Sequence, residues 1–282
     1  MINLFLKHKT KKINNSTLSI ESIRDSKKIL FSIFTRYGDT IIDLVVIKEF
    51  IELYPNKEYI VLCPRQMKPY VNELLPDIKC IALNKRNLFD MLKVNYVLKK
   101  WQPDIGFNPW SNGLDSCYFL TYCKQYLCYK DFKRPKTINH YQVVRRYLDL
   151  PKKDWSTNEL VLKDNYRQIL ICPQSTDSER SMTPLQIDEL IVDLKQRYKD
   201  ARLVIASMDS SFSREDIAQF TFEKSLSSSE EFIKLFKDSD LAICTDSAPL
   251  HIASALDKDL IAVFHITKPE IVINHNTTLL VS

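Results

Sequence analysis

The sequence from Asp240 to Pro269, DLAICTDSAPLHIASALDKDLIAVFHITKP, predicts a strand, a turn, a helix and a second strand. Two short apolar runs within it, Leu241–Cys244 and Leu260–Phe264, are typical of buried strands. The residues between them suffice for a single crossover helix, and such a connection joins parallel strands. The stretch is therefore a βαβ unit, around which the rest of the chain can be placed.

The turn that opens the crossover helix carries the polar residues of this unit. Asp246 or Ser247 can cap the first free amides, and Pro249 is tolerated in a first turn, so we expect the helix to start at about Ser247. A helix N-terminus attracts phosphate, and ligands of open α/β sheets bind at the carboxyl ends of the strands. Asp246, Ser247 and His251 are therefore predicted to lie beside an anion site.

The composition indicates a globular protein with room for two α/β domains. The chain has 282 residues, of which 45% are hydrophobic and 27% charged. It contains no uninterrupted apolar run of about 18 residues, and Met1–Lys12 has too short an apolar core for a signal peptide, so we expect a cytoplasmic protein. With only three glycines, the chain cannot carry a glycine-rich dinucleotide fingerprint or a P-loop.

Cysteine usage and charge point to ordinary solvated surfaces and reduced thiols. Seven cysteines are present, most of them in apolar runs (Cys63, Cys80, Cys172, Cys244), and the remaining three lack the spacing of a zinc site (Cys117, Cys123, Cys128). The net charge is +5, with basic clusters at Lys7–Lys12, Lys133–Lys136 and Arg145–Arg146. A solvated face is favoured for these clusters over an anionic acceptor or a membrane surface, and no nucleic-acid motif is present.

The first half of the chain alternates strands and helices from Lys28 onward. A strand is predicted at Lys28–Phe34 and a helix at Thr40–Tyr54. Between them, Gly38 can take a positive φ or admit a ligand, and Asp39 falls at the helix cap. Further strands are predicted at Tyr59–Cys63, Ile78–Leu83 and Asp104–Phe107, and helices at Gln66–Leu75, Leu88–Trp101 and Ser116–Cys128. This rhythm is typical of a parallel sheet covered on both faces.

The second half repeats the rhythm after a charged segment, Asp131–Asp164, which contains one predicted helix, His140–Leu148, and is interpreted as the interdomain connection. We therefore predict two domains, 1–150 and 151–282. A strand at Ile169–Cys172 leads into a hydroxyl-rich loop. Capping boxes at Thr183–Gln186 and Ser228–Glu231 predict two helices.

Three polar junctions together resemble glycosyltransferase family 9, the ADP-heptose:lipopolysaccharide heptosyltransferases and their relatives. Asp246-Ser247-Ala248-Pro249-Leu250-His251 matches the family's D-[ST]-[GA]-P-x-H pattern, and Thr267-Lys268-Pro269 its T-x-P turn. Arg36-Tyr37-Gly38-Asp39 matches the early R-x-G-D. Ser175-Thr176, followed by Arg180, matches the hydroxyl pair and basic residue, with Arg where the family usually has Lys.

The resemblance implies a GT-B fold, in which two Rossmann-like domains with parallel sheets face each other across a cleft. The donor would be a nucleotide sugar, ADP-linked in the best-known members. Ser175, Thr176 and the helix amides near Ser247 and Ala248 would bind its pyrophosphate, and Arg180 would add positive charge. His251 could donate to a phosphate oxygen, and Asp246 would orient the amides. The matched residues Arg36 and Gly38 would contact substrate.

In this resemblance Asp39 corresponds to the general base of an inverting, metal-independent transfer to a lipopolysaccharide core or other surface glycan. No cofactor is expected, and Asp238-Ser239-Asp240 is a weak candidate for a metal site. The protein would act in the cytoplasm, with peripheral contact at the inner face of the membrane as an option. A non-catalytic nucleotide-sugar-binding or scaffolding protein remains the alternative, because Asp39 and Asp246 could simply cap helices and His251 could be a core residue.

Overall fold

The structure is a computed structural model that describes residues 20–109, 114–128, 137–153, 160–274 and 278–281. The chain divides into two compact units, Met1–Lys152 and Lys153–Ser282. Each unit is built on a parallel sheet, so the predicted α/β class is confirmed. The predicted basic clusters Lys7–Lys12 and Lys133–Lys136 lie outside the described residues.

The first unit has a five-stranded sheet in the order β3-β2-β1-β4-β5. Its strands are β1 (Lys28–Ser32), β2 (Glu58–Pro64), β3 (Lys79–Leu83), β4 (Ile105–Asn108) and β5 (Gln125–Cys128). Its helices are α1 (Ile20–Asp25), α2 (Tyr37–Leu53), α3 (Lys68–Leu74), α4 (Leu88–Trp101), α5 (Leu114–Leu120) and α6 (His140–Tyr147). The chain moves outward from β1 to β3 and then returns beside β1, which is the strand order of a Rossmann-like sheet.

Aromatic side chains fill the layer between this sheet and α2. Phe31 of β1 stacks on Phe107 of β4 with ring centroids 5.6 Å apart, and Phe50 of α2 meets Phe107 edge-on at 5.6 Å. All three rings are buried. Because large buried rings dominate the packing energy of a core, this contact fixes α2 over the middle of the sheet.

An aspartate fixes the amino end of the strand pair β1 and β4. Asp104 precedes β4, and its Oδ2 accepts hydrogen bonds from the backbone amides of Lys27 at 2.9 Å and Lys28 at 3.0 Å. Its Oδ1 accepts from Nζ of Lys124 at 2.7 Å. These charge-assisted bonds hold the start of β1 against β4.

Helix α2 begins at Tyr37 rather than at the predicted Thr40, because Arg36 is its N-cap residue, with an extended backbone (φ −71°, ψ 161°). Gly38 and Asp39 therefore lie inside the first helical turn. No glycine among the described residues has a positive φ, so the first of the two alternatives for Gly38 is wrong, and the close approach of a ligand stays a prediction. Asp39 is likewise not the cap residue.

The predicted helix Ser116–Cys128 is wrong in its second half. Helix α5 ends at Leu120, and Gln125–Cys128 forms the edge strand β5, paired with β4. The turn between them packs on Gly106 of β4, where a Cβ atom would come within 2.5 Å of Cys123 Sγ and 2.8 Å of Leu120 Cδ2. Backbone pairing with a strand distant in sequence overrides the local helical pattern.

Helix α6 belongs to the first unit and not to a connection between domains. Its Tyr141 and Val144 are buried. Arg145 forms an ion pair with Glu49 of α2 and donates to the carbonyl oxygen of Pro151 at 2.8 and 3.0 Å. Arg145 is buried, so the prediction of a solvated basic face is wrong for this residue.

The second unit has a six-stranded sheet in the order β11-β10-β9-β6-β7-β8, which follows the same outward and return path. Its strands are β6 (Gln168–Cys172), β7 (Arg202–Ser207), β8 (Ala218–Thr221), β9 (Leu241–Thr245), β10 (Asp259–Val263) and β11 (Thr278–Val281). Its helices are α7 (Pro184–Arg197), α8 (Leu226–Asp238) and α9 (Ala248–Ala255). Asp240 precedes β9 as Asp104 precedes β4, and its Oδ2 accepts from the amides of Arg167 at 2.7 Å and Gln168 at 3.2 Å.

Of the two predicted capping boxes, one is confirmed. Thr183 Oγ1 accepts from the amide of Gln186 at 3.2 Å, and Gln186 Oε1 accepts from the amide of Thr183 at 2.8 Å. The box at Ser228 is wrong, because α8 starts earlier and is capped by Ser225, whose side chain accepts from the amide of Ser228 at 3.1 Å.

The cysteines follow the predicted pattern with one exception. Cys63, Cys80, Cys123, Cys172 and Cys244 are free thiols, all but Cys80 buried, whereas Cys117 of α5 and Cys128 of β5 form a disulfide. The prediction of reduced thiols was made for Cys63, Cys80, Cys172 and Cys244, which are free, and no pairing was predicted for Cys117 and Cys128. Strand β5 returns beside α5 and brings these two sulfurs together.

The close packing on Gly106 gives a stability prediction. Gly106→Ala should lower the free energy of unfolding by about 1–3 kcal/mol, because the added methyl group overlaps Cys123 and Leu120 in a packed layer. Urea unfolding measures the loss. The same substitution made in a Cys123→Ala background should cost less, since the nearest atom is gone; an equal cost in both backgrounds would contradict the packing argument.

Candidate functional site

The carboxyl ends of β6 and β9 lie side by side in the second sheet. The two strands are paired in parallel, with Cys172 in register with Cys244. The chain runs outward in one direction after β6 and in the other after β9, so this position is the topological switch point of the sheet. The loops that follow two such strands leave a crevice in which α/β proteins bind ligands.

One buried carboxylate joins the loops at this point. Asp246 follows β9, and its Oδ2 accepts from Arg180 Nη1 at 3.2 Å and from Thr267 Oγ1 at 2.5 Å. Arg180 lies in the loop after β6, and Thr267 lies after β10. The carbonyl oxygen of Asp246 also accepts from Ser175 Oγ at 3.4 Å and from Arg180 Nη1 at 3.3 Å. Asp246 thus connects three segments of the chain.

The loop after β6 is held by its own polar side chains. Ser181 Oγ accepts from the amide of Ser175 at 2.9 Å, and Asp177 Oδ1 accepts from the amide of Glu179 at 3.2 Å. Asp177 Oδ2 lies 3.5 Å from Arg180 Nε. These bonds place the Arg180 guanidinium between two carboxylates at the switch point.

Arg180 keeps part of its donor capacity. Its contacts with the described residues involve Nη1 and Nε, and none of them involves Nη2. The side chain is 27% exposed. A guanidinium carries five N–H donors in a fixed fork, so the Nη2 edge can donate to an anion while Nη1 holds Asp246.

Helix α9 starts where the sequence predicts, but its capping differs. Ser247 is the N-cap residue, with no side-chain hydrogen bond to the helix amides, and its Oγ donates to the carbonyl oxygen of Thr245 at 3.3 Å. Asp246 is engaged by Arg180 and Thr267 instead. Ser247 therefore holds the cap position, but the expectation that the side chain of Asp246 or Ser247 caps the helix amides is wrong, and the first turn has no side-chain acceptor at the cap.

The other residues proposed for the second unit lie close by in sequence but differ in their environments. Ala248 is the first residue of α9, and His251 is buried one turn into that helix. Thr176 is exposed and makes no side-chain hydrogen bond to a described residue, in contrast to its neighbour Ser175. The structure thus brings Ser175, Arg180 and Asp246 into contact, with Ser247 adjacent.

In the first unit, Arg36, Gly38 and Asp39 share the turn that follows β1. Arg36 is exposed and Asp39 is half-buried, and Thr35 Oγ1 donates to Asp39 Oδ2 at 3.4 Å. The N-terminal end of α2 favours an ionised carboxylate in its first turn. Since β1 pairs with β4 as β6 pairs with β9, this turn also lies at the switch point of its own sheet.

Two polar residues near these turns, Asp43 and Thr267, were given no role from the sequence. Asp43 lies one turn after Asp39 on α2, is 0% exposed, and its oxygens have no hydrogen-bond partner among the described residues. Burial, and secondarily the charge of Asp39, raise the pKa of Asp43 well above its ordinary value. The sequence feature that could have drawn attention to Asp43 is an acidic residue inside the apolar run Ile41–Ile47. The feature that could have drawn attention to Thr267 is its place in the T-x-P turn.

Asp238-Ser239-Asp240 has a structural explanation. The Asp240 carboxylate accepts the two amides at the start of β6 and an N–H of the Arg167 side chain. Among the described residues no group of three or more His, Cys, Asp or Glu side chains is arranged to hold a metal ion. In the same part of the chain, no helix combines the length and the apolar character needed to cross a membrane.

Solved structures match most of the length of the chain. Heptosyltransferase II of Escherichia coli, an ADP-heptose lipopolysaccharide heptosyltransferase, aligns over 90% of each chain with a TM-score of 0.69 and 13% identity. A family 9 glycosyltransferase from Veillonella parvula aligns over 92% of this chain and 86% of its own, with a TM-score of 0.67 and 14% identity. E. coli heptosyltransferase WaaC, solved with ADP, aligns over 89% and 92%, with a TM-score of 0.63 and 11% identity. The shared fold is GT-B.

The sequence itself matches a family profile. Residues 167–279 match the profile described as glycosyltransferase family 9 (heptosyltransferase), whereas no curated protein sequence matches the chain. The fold of the chain is that of the GT-B class. The family 9 match lies in its second unit.

The contact between Arg180 and Asp246 gives a second prediction. Arg180→Met should destabilise the protein by about 1.5–3 kcal/mol, because it leaves the buried Asp246 carboxylate without its cation. Unfolding of Arg180→Met, Asp246→Asn and the double variant forms a double-mutant cycle. We expect the double variant to lose less than the sum of the single losses. Strict additivity would mean that the two side chains do not stabilise each other.

Asp43 gives a prediction about pH. Because the folded chain raises its pKa, the native state holds the Asp43 proton more tightly than the unfolded chain does. Below about pH 4 the carboxyl is protonated in both states, and Asp43 does not lower the free energy of unfolding. Above that pH the carboxyl ionises in the unfolded chain but not in the folded one, so the free energy of unfolding falls as the pH rises.

Asp43→Asn removes the buried ionisable group and with it the loss of stability at higher pH. The melting temperature of the variant minus that of wild type should be a few degrees larger at about pH 7.5 than at about pH 4.5. The exposed Asp77→Asn serves as the control and should show no such trend. An equal effect of Asp43→Asn at both pH values would show that burial does not hold this proton.

Proposed function

We propose that the protein is an inverting, metal-independent glycosyltransferase that moves a heptose or similar sugar from an ADP-linked donor to a lipopolysaccharide core or other surface glycan. The second unit would bind the donor and the first would serve the acceptor. The observation that carries the proposal is the contact of Ser175, Arg180 and Asp246 at the switch point of the second sheet.

That arrangement suits a diphosphate. The first-turn amides of α9 lack a side-chain cap, and the Nη2 edge of Arg180 makes no contact with a described residue. Both are donors for phosphate oxygens at the end of β9, where the helix dipole also favours negative charge. Asp246 would position the Arg180 side chain rather than cap the helix. Ser175, Thr176, Ser247 and Ala248 would contribute hydroxyl and amide donors, and His251 a further one.

The choice of an ADP-linked sugar comes from the relatives. WaaC was solved with ADP and with ADP-2-deoxy-2-fluoro heptose, and heptosyltransferase II of E. coli is an ADP-heptose lipopolysaccharide heptosyltransferase. At 10–13% identity these likenesses support the fold directly and the donor by analogy only. The proposed acceptor, a lipopolysaccharide or other glycan, rests on the same analogy.

Asp39 would act as the general base, with Arg36 and Gly38 contacting substrate beside it. Its carboxylate would take the proton of the acceptor hydroxyl as that oxygen attacks the anomeric carbon. The bond from that carbon to the β-phosphate oxygen breaks on the opposite face, which inverts the configuration and releases ADP. The Arg180 side chain and the α9 amides would stabilise the charge that develops on the diphosphate, so that no metal or cofactor is required. We place this reaction in the cytoplasm.

The decisive experiment measures ADP release and product mass with ADP-heptose and a panel of other nucleotide sugars, using a truncated lipopolysaccharide core as acceptor. Asp39→Asn should lower kcat by about 10²–10⁴ while leaving the affinity for ADP unchanged, because the amide cannot accept the proton. Glu52→Gln, an exposed change on the same helix, should behave as wild type.

Calorimetry with ADP separates this proposal from its alternative. If wild type binds ADP but transfers no sugar from any donor, the protein is a non-catalytic nucleotide-sugar-binding or scaffolding member of the fold. If it binds no nucleotide, both readings fail. Full activity of Asp39→Asn would remove the proposed base and leave the donor site standing.

A further inference from the structure

Helix α4 of the first unit has apolar residues on both of its faces. Its inner face, with Met91, Val94 and Leu98, is buried against the sheet. Its outer face exposes four large side chains, which we call the α4 outer face: Leu88 at 56%, Phe89 at 82%, Leu92 at 56% and Tyr96 at 69% exposed. A surface helix ordinarily presents polar residues to water on the side away from the core.

The four side chains are contiguous. Leu88, Leu92 and Tyr96 follow each other at intervals of one helical turn, and Phe89 adjoins Leu92 on the same side. They therefore form a single stripe along the helix. A contiguous exposed apolar surface of this kind marks a site of interaction, whereas apolar residues scattered singly do not.

The charges around the stripe are positive. Lys93 and Lys100 lie along one edge of it, and Lys99 lies at its C-terminal end, all three exposed. The one acidic residue of the helix, Asp90, is engaged on another side by Arg65, whose Nη2 donates to it at 2.8 and 2.9 Å. The α4 outer face is thus apolar with a cationic edge.

A second exposed apolar pair, on α7, lies in a different charge environment. On α7, Leu185 and Val192 are 67% and 64% exposed and lie at a spacing that places them on one side of the helix. Their exposed neighbours include Asp188, Glu189 and Asp193. Arg214 pairs with Asp188, but Glu189 and Asp193 leave negative charge beside the α7 pair, which an anionic surface would repel.

We propose that the α4 outer face docks on a bilayer surface that contains anionic phospholipid. The leucine and aromatic side chains enter the boundary between headgroups and acyl chains, and the lysines contact lipid phosphates while their stems lie along the apolar surface. The helix lies on the membrane and does not span it. This inference rests on the surface of the first unit alone and stands independently of the sugar transfer.

The test is flotation of the full chain with vesicles of phosphatidylcholine in which a quarter of the lipid is phosphatidylglycerol. Wild type should bind these vesicles, bind pure phosphatidylcholine vesicles far less, and dissociate as salt is added. Phe89→Ser with Leu92→Ser should lower the partition coefficient by about tenfold or more. Charge reversal at Lys93, Lys99 and Lys100 should lower it by about fivefold for each lysine.

The matched control is Leu185→Ser with Val192→Ser, which removes a similar exposed apolar area from α7 and should leave vesicle binding unchanged. All of these positions are exposed, and circular dichroism of each variant checks that the fold is retained. The proposal is overturned if wild type fails to bind the anionic vesicles, or if the α4 and α7 variants bind equally. It is also overturned if wild type is a dimer in sedimentation that Phe89→Ser with Leu92→Ser dissociates while vesicle binding persists, because a second copy then covers the face.

Discussion

The carboxylate of Asp246 is the constraint on which the second unit's site depends. It accepts from Arg180 and Thr267, which follow β6 and β10, and it belongs to the turn after β9. A buried charge that lost these donors would be costly, so the three loops are held at fixed positions around it. The same contacts engage the Asp246 side chain away from α9, whose first-turn amides have no side-chain acceptor at the cap.

The contacts of Arg180, the basic residue in the loop after β6, determine what it can offer a ligand. In the sequence, Arg180 is a positive charge near a hydroxyl pair. In the structure, two carboxylates lie beside it, and what it offers a ligand is a directed edge of N–H donors rather than a net positive field. A planar guanidinium can serve a carboxylate and a phosphate at once through different nitrogens, which a lysine ammonium does less well.

Local signals in the sequence were enough for most of the fold. The apolar runs of β1, β6 and β9 and the capping box at Thr183 were correctly interpreted because strand burial and capping are decided within a few residues. Strand β5 and the Cys117–Cys128 disulfide were not, because each depends on a partner in another element. The start of α2 was missed because its N-cap residue, Arg36, makes no side-chain capping bond and is not a residue type that commonly caps helices. The family motifs marked Asp246 as important, but its contacts with Arg180 and Thr267 required three-dimensional proximity.

Both units share one more feature, at the amino ends of the central strands, opposite the polar turns. Asp104 and Asp240 each precede the strand that returns beside the first strand, and each accepts the two amides at that first strand's start. Strand alignment is thus secured at one end of the central pair, while the polar loops emerge at the other. For protein engineering, this separation makes the loop ends a surface for redesign: a library varied after β1, β6 and β9 would leave the aspartate clamps untouched.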